Sequence, residues 1–152
     1  MSNLIIDNAQ IEDVPALVKL LDVLFSIEQD FHPDELRQTA GLSLIIQNPD
    51  NAIIKVARNQ EGQVIGMVSA QLVISTSQGS TSAWIEDMVV SDQYRAQGIG
   101  RQLLTSVLQW AKDKGATRAQ LLVDLDNEAA LGYYDHLGWQ ASRMGMRRLI
   151  LK

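Results

Sequence analysis

Two short stretches carry residues that can do chemistry. The first is Tyr94-Arg95-Ala96-Gln97-Gly98-Ile99-Gly100-Arg101, which follows an apolar run and opens a strongly amphipathic segment. The leading N–H groups of a helix have no acceptor within it, and the helix dipole puts partial positive charge there. A phosphate is stabilised at such a spot. Gly98 and Gly100 lack side chains and let main-chain amides approach phosphate oxygens, while Arg95 and Arg101 add formal charge. Turn-shaping alone would also account for the glycines. Two rival phosphate patterns are absent. The Walker spacing needs Gly-Lys-Ser/Thr, and the dinucleotide fingerprint needs a third Gly or Ala where Leu103 stands. The second stretch is Ala83-Trp84-Ile85-Glu86-Asp87-Met88-Val89-Val90. A carboxylate in an apolar strand is costly unless solvated or paired, so Glu86 needs a reason to be there. Strict strand alternation puts Trp84, Glu86, Met88 and Val90 on one face and Asp87 on the other.

These residues must be held by a folded scaffold, and the composition allows one. The chain has 152 residues, 46% hydrophobic and 20% charged, with no cysteine. That fits one ordinary domain, 1–152, without disulfides or thiolate metal sites. The only histidines are His32 and His136, with no metal-ligand spacing around either, so no metal is expected. The formal charge is −5, and the one dense basic cluster, Arg143, Arg147, Arg148 and Lys152, reads as a solvated strand face. Nucleic-acid binding is therefore not expected. No apolar run reaches membrane-spanning length and no secretory leader is seen, so a cytoplasmic location without membrane contact is expected.

Leu4 to Ile6 reads as a strand. Val14, Leu17, Val18, Leu21, Leu24 and Phe25 recur at helical spacing, with Asp13 as N-cap and Pro15 in the first turn. A second helix starts near Pro33–Asp34 and ends before Asn48–Pro49. Ile53 to Arg58 and Gln63 to Ser75 read as a hairpin about Asn59-Gln60-Glu61-Gly62, and a loop, 75–82, leads to the strand Ala83 to Val90. Ile99, Leu103, Leu104, Val107, Leu108 and Ala111 mark a long helix ended by Gly115, with Trp110 as a packing residue. The chain closes with a strand over Ala119 to Leu125, a short helix carrying Ala130, Tyr133, Tyr134 and Leu137, and strand-like segments about Trp139 and 147–151. The order β-α-α-β-β-β-α-β-α-β-β predicts an α/β (α+β mixed) fold. Its sheet is mixed and mostly antiparallel, with about six to seven strands and about four flanking helices.

Arg95-Ala96-Gln97-Gly98-Ile99-Gly100 resembles the R/Q-x-x-G-x-G/A signature of the GNAT superfamily of acyl-CoA N-acyltransferases. The likeness covers nearly the whole chain in element order and is specific from about Trp84 to Trp139. It implies acetyl-CoA as cosubstrate. Its pyrophosphate would be held by Arg95, Ala96, Gln97, Gly98, Ile99, Gly100 and Arg101. Its pantetheine arm would pair as an extra strand with the main chain at Met88, Val89 and Val90, between splayed strands. Ala96 stands where the family often has Gly.

Aminolysis of a thioester needs a neutral amine, a donor for the oxyanion and a proton for the departing thiolate. Asn127 to Tyr134 followed by Leu137-Gly138-Trp139 resembles the family's N-x-x-A-x-x-x-Y-x-x-x-G-[FW] segment. That likeness makes Tyr134 the general acid and gives Asn127 a coenzyme contact or the ordering of the strand end. Several members of the family place their base at the position of Glu86, which implies that Glu86 is the base or amine-orienting group. The string from Glu86 to Arg95 is also similar to diamine and polyamine acetyltransferases. An acceptor pocket is expected from Glu28, Asp30, Phe31, Trp84 and Asp87, whose acids suit a cationic amine. The expected activity is transfer of acetyl from acetyl-CoA to a primary amine of a small molecule or peptide. The alternative is a non-catalytic acyl-CoA sensor on the same fold. A homodimer through a terminal strand, Met144 to Leu151, fits both.

Overall fold

The computed structural model describes residues 4–28 and 32–151. The chain forms two compact units, Met1–Leu122 and Val123–Lys152. In the first, β1 (Ile5–Asn8), α1 (Val14–Ile27), α2 (Glu35–Ile46), β2 (Ala52–Arg58), β3 (Val64–Ser75), β4 (Ser80–Val90), α3 (Ile99–Asp113) and β5 (Ala116–Leu121) follow one another. The strands form one sheet in the order β1-β2-β3-β4-β5. The first four are joined antiparallel, and β4 runs parallel to β5. A parallel neighbour cannot be reached by a tight turn, so the chain crosses through α3.

Each sheet face has its own helices. Register pairs Ile54 with Ser69, Val56 with Met67, and Met67 with Val89. Ile54, Val56, Met67 and Val89 are buried in one cluster with Val14, Leu17, Val18, Leu20 and Leu21 of α1 and Leu42 of α2. Gln38 of α2 is buried, and its amide nitrogen donates to Val18 O at 3.2 Å and Asp22 Oδ1 at 3.0 Å, fastening the two helices. On the opposite face α3 buries Ile99, Leu103, Leu104, Val107 and Ala111. A methyl group on Gly66 of β3 would lie 3.1 Å from Leu103, so this glycine lets α3 sit close to the sheet.

Several expectations need correction. Asp13 stands at the N-cap of α1 as expected but makes no side-chain cap bond; its carboxylate accepts from Gln10 N at 2.7 Å and from both terminal nitrogens of Arg58 at 2.9 and 2.8 Å. The loop after Ser75 shrinks to a turn because Ser80 to Ser82 already pair with β3. β5 begins at Ala116, directly after Gly115, and stops at Leu121 rather than running from Ala119 to Leu125; Leu122, Val123 and Leu125 are apolar but join no ladder.

The second unit holds α4 (Glu128–His136), capped by Asn127, whose Oδ1 accepts from Ala130 N at 3.1 Å. Gly138 ends it at φ 93°. No strand forms over 137–151, so the sheet has five strands among the described residues, not six or seven. Residues 140–151 are solvent-exposed throughout, and an extended segment becomes a strand only where a neighbour satisfies its main-chain groups. No described helix is long and apolar enough to cross a membrane.

Candidate active site

The ladder between β4 and β5 ends at Ile85 paired with Leu121, although β4 continues to Val90. Residues 86–90 therefore carry an edge that β5 does not cover, next to the turn that leads into α3. Ser91 N donates to Ile65 O at 2.8 Å on the β3 side. Because main-chain groups alternate in direction, those of Val90 point to the uncovered edge. The Arg95 side chain reaches that edge, its Nε donating to Val90 O at 3.1 Å and its guanidinium pairing with Asp92 at 2.8 Å. Arg95 thus clamps the turn, a use the sequence pattern did not suggest.

The turn itself is left-handed at two points. Ala96 has φ 61° and Gly98 has φ 78°. An alanine held there costs about 1–2 kcal/mol, which gives a physical reason for a glycine at that position elsewhere. Gly98 opens α3, and the helix's return bonds begin with Gln102 N to Gly98 O at 3.1 Å. The amides of Ile99, Gly100 and Arg101 consequently face out of the helix end. Gly98 and Arg101 line an open groove with Gln102, Thr105 and Ser106 of α3 and Ile6 of β1. Two residues outside the motif brace the turn. Buried Asn59, in the β2–β3 turn, donates to Tyr94 Oη at 3.1 Å and to Gln63 at 2.8 Å. The Asn59 turn was legible, but its grip on a segment 35 residues away was not.

The acids of β4 are arranged by a bulge. Met67 faces Val89 and Ser69 faces Glu86, so Asp87 and Met88 together oppose Val68 alone. Asp87 takes φ 57°. Alternation is broken at this point. Trp84 and Glu86 share the α1/α2 face with Val89, whereas Val90 pairs with Gly66 on the α3 face. The expected single face of Trp84, Glu86, Met88 and Val90 is not what forms. Asp87 likewise leaves its expected side, because its carboxyl is hydrogen-bonded by the Ser69 hydroxyl, on the face of Glu86. Ser69 is buried, and its single hydroxyl proton lies within reach of both the Asp87 carboxyl and Glu86 O, the latter at 3.1 Å. Glu86 is exposed, while Asp87 is half-buried. Burial, then the negative charges of Glu86 and of Glu28 at the end of α1, push the Asp87 carboxyl up to about 7, against the Ser69 hydrogen bond that lowers it. Asp30 and Phe31 lie outside the described residues.

In the second unit the Tyr134 ring meets Trp139 edge-on at 5.8 Å and Tyr133 at 5.4 Å. Trp139 N donates to Tyr134 O at 3.0 Å, so the helix end and its aromatic group form one packed motif.

An uncovered strand edge running into a left-handed turn and a helix N-terminus defines a class of protein that can hold an extended, phosphate-bearing ligand. The chain matches the model of the Acetyltransferase (GNAT) family over residues 17–139 and belongs to that family. It is 35% identical over 79 residues to N-acetyltransferase 8 of Rattus norvegicus, covering 52% of this chain and 36% of the relative. It is 34% identical over 82 residues to thialysine N-epsilon-acetyltransferase of Mus musculus, covering 54% and 48%. The chain therefore spans about a third to a half of the length of these curated relatives. The crystal structure of a possible acetyltransferase from Clostridium difficile 630 superposes with TM-score 0.85 at 19% identity, covering 98% of each chain, which is a likeness of fold.

Proposed function

We propose that the protein transfers an acetyl group from acetyl-CoA directly to a primary amine of a small molecule or peptide. The observation that carries this reading is the edge of β4 over 86–90, left uncovered by β5 and continuous with the turn at Ala96–Gly98. The pantetheine arm takes that edge at Met88, Val89 and Val90, and the pyrophosphate takes the amides from Ala96 to Arg101, with Gln97 at the rim. Arg95 holds the turn in shape and supplies charge. Asn127 orders the start of α4 beside the coenzyme. Tyr134 protonates the departing thiolate. Glu86, exposed on the α1/α2 face, orients the incoming amine, with Trp84 on the same face and Glu28, Asp30 and Phe31 as further acceptor contacts. The acids favour a cationic acceptor, and the thialysine acetyltransferase among the relatives supports a small diamine-like one. The family match crosses both compact units, which supports a single catalytic domain, and we read it as cytoplasmic. Met144, Leu149, Ile150 and Leu151 are 90%, 84%, 73% and 86% exposed, an apolar run suited to a homodimer contact, which sedimentation of the L149D/L151D variant would test.

The deciding measurement is thiol release from acetyl-CoA across a panel of amines that includes thialysine. Turnover with at least one amine, and a rise in melting temperature with acetyl-CoA, are the expected results. No turnover with any amine would remove the reaction. Tyr134→Phe should lower kcat about 10²–10³-fold; an unchanged rate would take Tyr134 out of the mechanism.

A further inference from the structure

We infer that Asp87, turned by the β4 bulge onto the face of Glu86, is the proton acceptor for the attacking amine, and that Glu86 positions the amine without taking the proton. The inference rests on the acetyl-transfer reading above. Its ground is the main chain, not the number of acids present. An ordinary strand would send Asp87 to the α3 side. The extra residue at 87–88 and the φ of 57° send it instead to the Ser69 hydroxyl, half-buried, within the segment of β4 that β5 leaves uncovered. Glu86, its neighbour, stands exposed.

The two carboxylates therefore differ in kind. A base that must work near neutrality needs affinity for a proton at that pH, and a desolvated carboxylate has it. Among the described residues, the charges that act on Asp87 are Glu86 from its own strand and Glu28 from the end of α1, and β3 presents the neutral Ser69 hydroxyl. Burial and both charges favour the protonated acid. The same position holds a left-handed conformation in a residue other than glycine, a cost that the strand retains with the carboxylate in place.

The step balances as follows. The neutral amine nitrogen attacks the thioester carbonyl, a C–N bond forms and the nitrogen becomes cationic. The Asp87 carboxylate takes one N–H proton. The C–S bond breaks, and the thiolate leaves with the proton of the acid assigned to Tyr134. Asp87 then yields its proton to solvent, and the acid regains one.

The test compares wild type, Asp87→Asn and Glu86→Gln with acetyl-CoA and thialysine, or whichever amine of the panel turns over fastest, from pH 5 to 9. For wild type, kcat should fall below pH 7 along a single-proton limb. D87N should lose about 10²–10³-fold in kcat and lose that limb, with acetyl-CoA binding by calorimetry unchanged. E86Q should raise KM for the amine and keep the limb. A D87N enzyme with kcat within threefold of wild type and the limb intact overturns the assignment while leaving the acetyltransferase reading in place. Wild type inactive on every amine overturns both. Independently of turnover, the carboxyl ¹³C signal missing from the D87N spectrum should titrate near neutrality; a midpoint near 4 overturns the assignment.

Discussion

The turn at 95–98 and the bulge at 86–88 use the same backbone device and differ in how they reach it. Each places a residue other than glycine in the left-handed region, Ala96 at φ 61° and Asp87 at φ 57°. In the turn the device builds a surface of main-chain amides, so side chains matter little and glycine is the natural occupant. In the bulge it delivers a side chain to the opposite side of a sheet, so the residue's chemistry is the reason for the strain. A backbone distortion is tolerated for different ends: once to expose the chain itself, once to aim a carboxyl group.

Substitution can separate these two uses. Among substitutions in the supports of the turn and the bulge, the largest effect is expected from Gly98→Val. A β-branched residue at φ 78° is strained whatever space surrounds it, and relief of about 1–3 kcal/mol must come from moving the turn. Acetyl-CoA affinity measured by calorimetry should weaken about 10- to 100-fold, with the β4 bulge untouched. Next comes Asn59→Ala, which removes the brace on Tyr94. A lost hydrogen bond of about 1 kcal/mol should raise KM for acetyl-CoA about fivefold and leave the pH profile in place. Ser69→Ala sharpens the other side of the comparison. Ser69 lowers the Asp87 pKa, so its loss should move the acidic limb of kcat to higher pH and cut the rate at pH 7 severalfold without changing KM for acetyl-CoA. The smallest effect is expected at Ala96→Gly, where relieved strain outweighs added chain entropy: a gain of about 0.5–1 kcal/mol in chemical denaturation and unchanged kinetics.

Asp87 also marks stability. Its folded pKa is raised from 3.8 to about 7, so the stability contributed by the protonated acid is full below about 3.8 and is gone once the pH has passed about 7. Denaturation of wild type and D87N should diverge over that window, with wild type losing ground to the variant as pH rises.

The sequence made the turn before α3 and the helix itself legible because glycines, a strand and an amphipathic helix each leave a local trace. Ile99, Leu103, Leu104, Val107 and Ala111 were expected on the buried stripe of α3 and are buried. The bulge left no such trace. Asp87 looks like any strand residue, and one extra residue shifts every later side chain to the other face, so Val90 was expected on the wrong one. Only the pairing of Ser69 with Glu86 and Met67 with Val89 exposes the shift, and that is a relation between strands. The terminal strands failed for a related reason. Apolar residues at 147–151 can join a sheet, but composition does not supply the neighbour that completes the hydrogen bonds.

The brace between Asn59 and Tyr94 ties the tip of the β2–β3 hairpin to the turn before α3. Asn59 Oδ1 also accepts from the amides of Glu61 and Gln63, so those protons are shielded only while the tip is closed. Adding acetyl-CoA should therefore slow deuterium uptake at Glu61 and Gln63, two amides of the hairpin tip, and that slowing should disappear in Asn59→Ala. The hairpin tip would then report the arrival of a ligand that it does not contact.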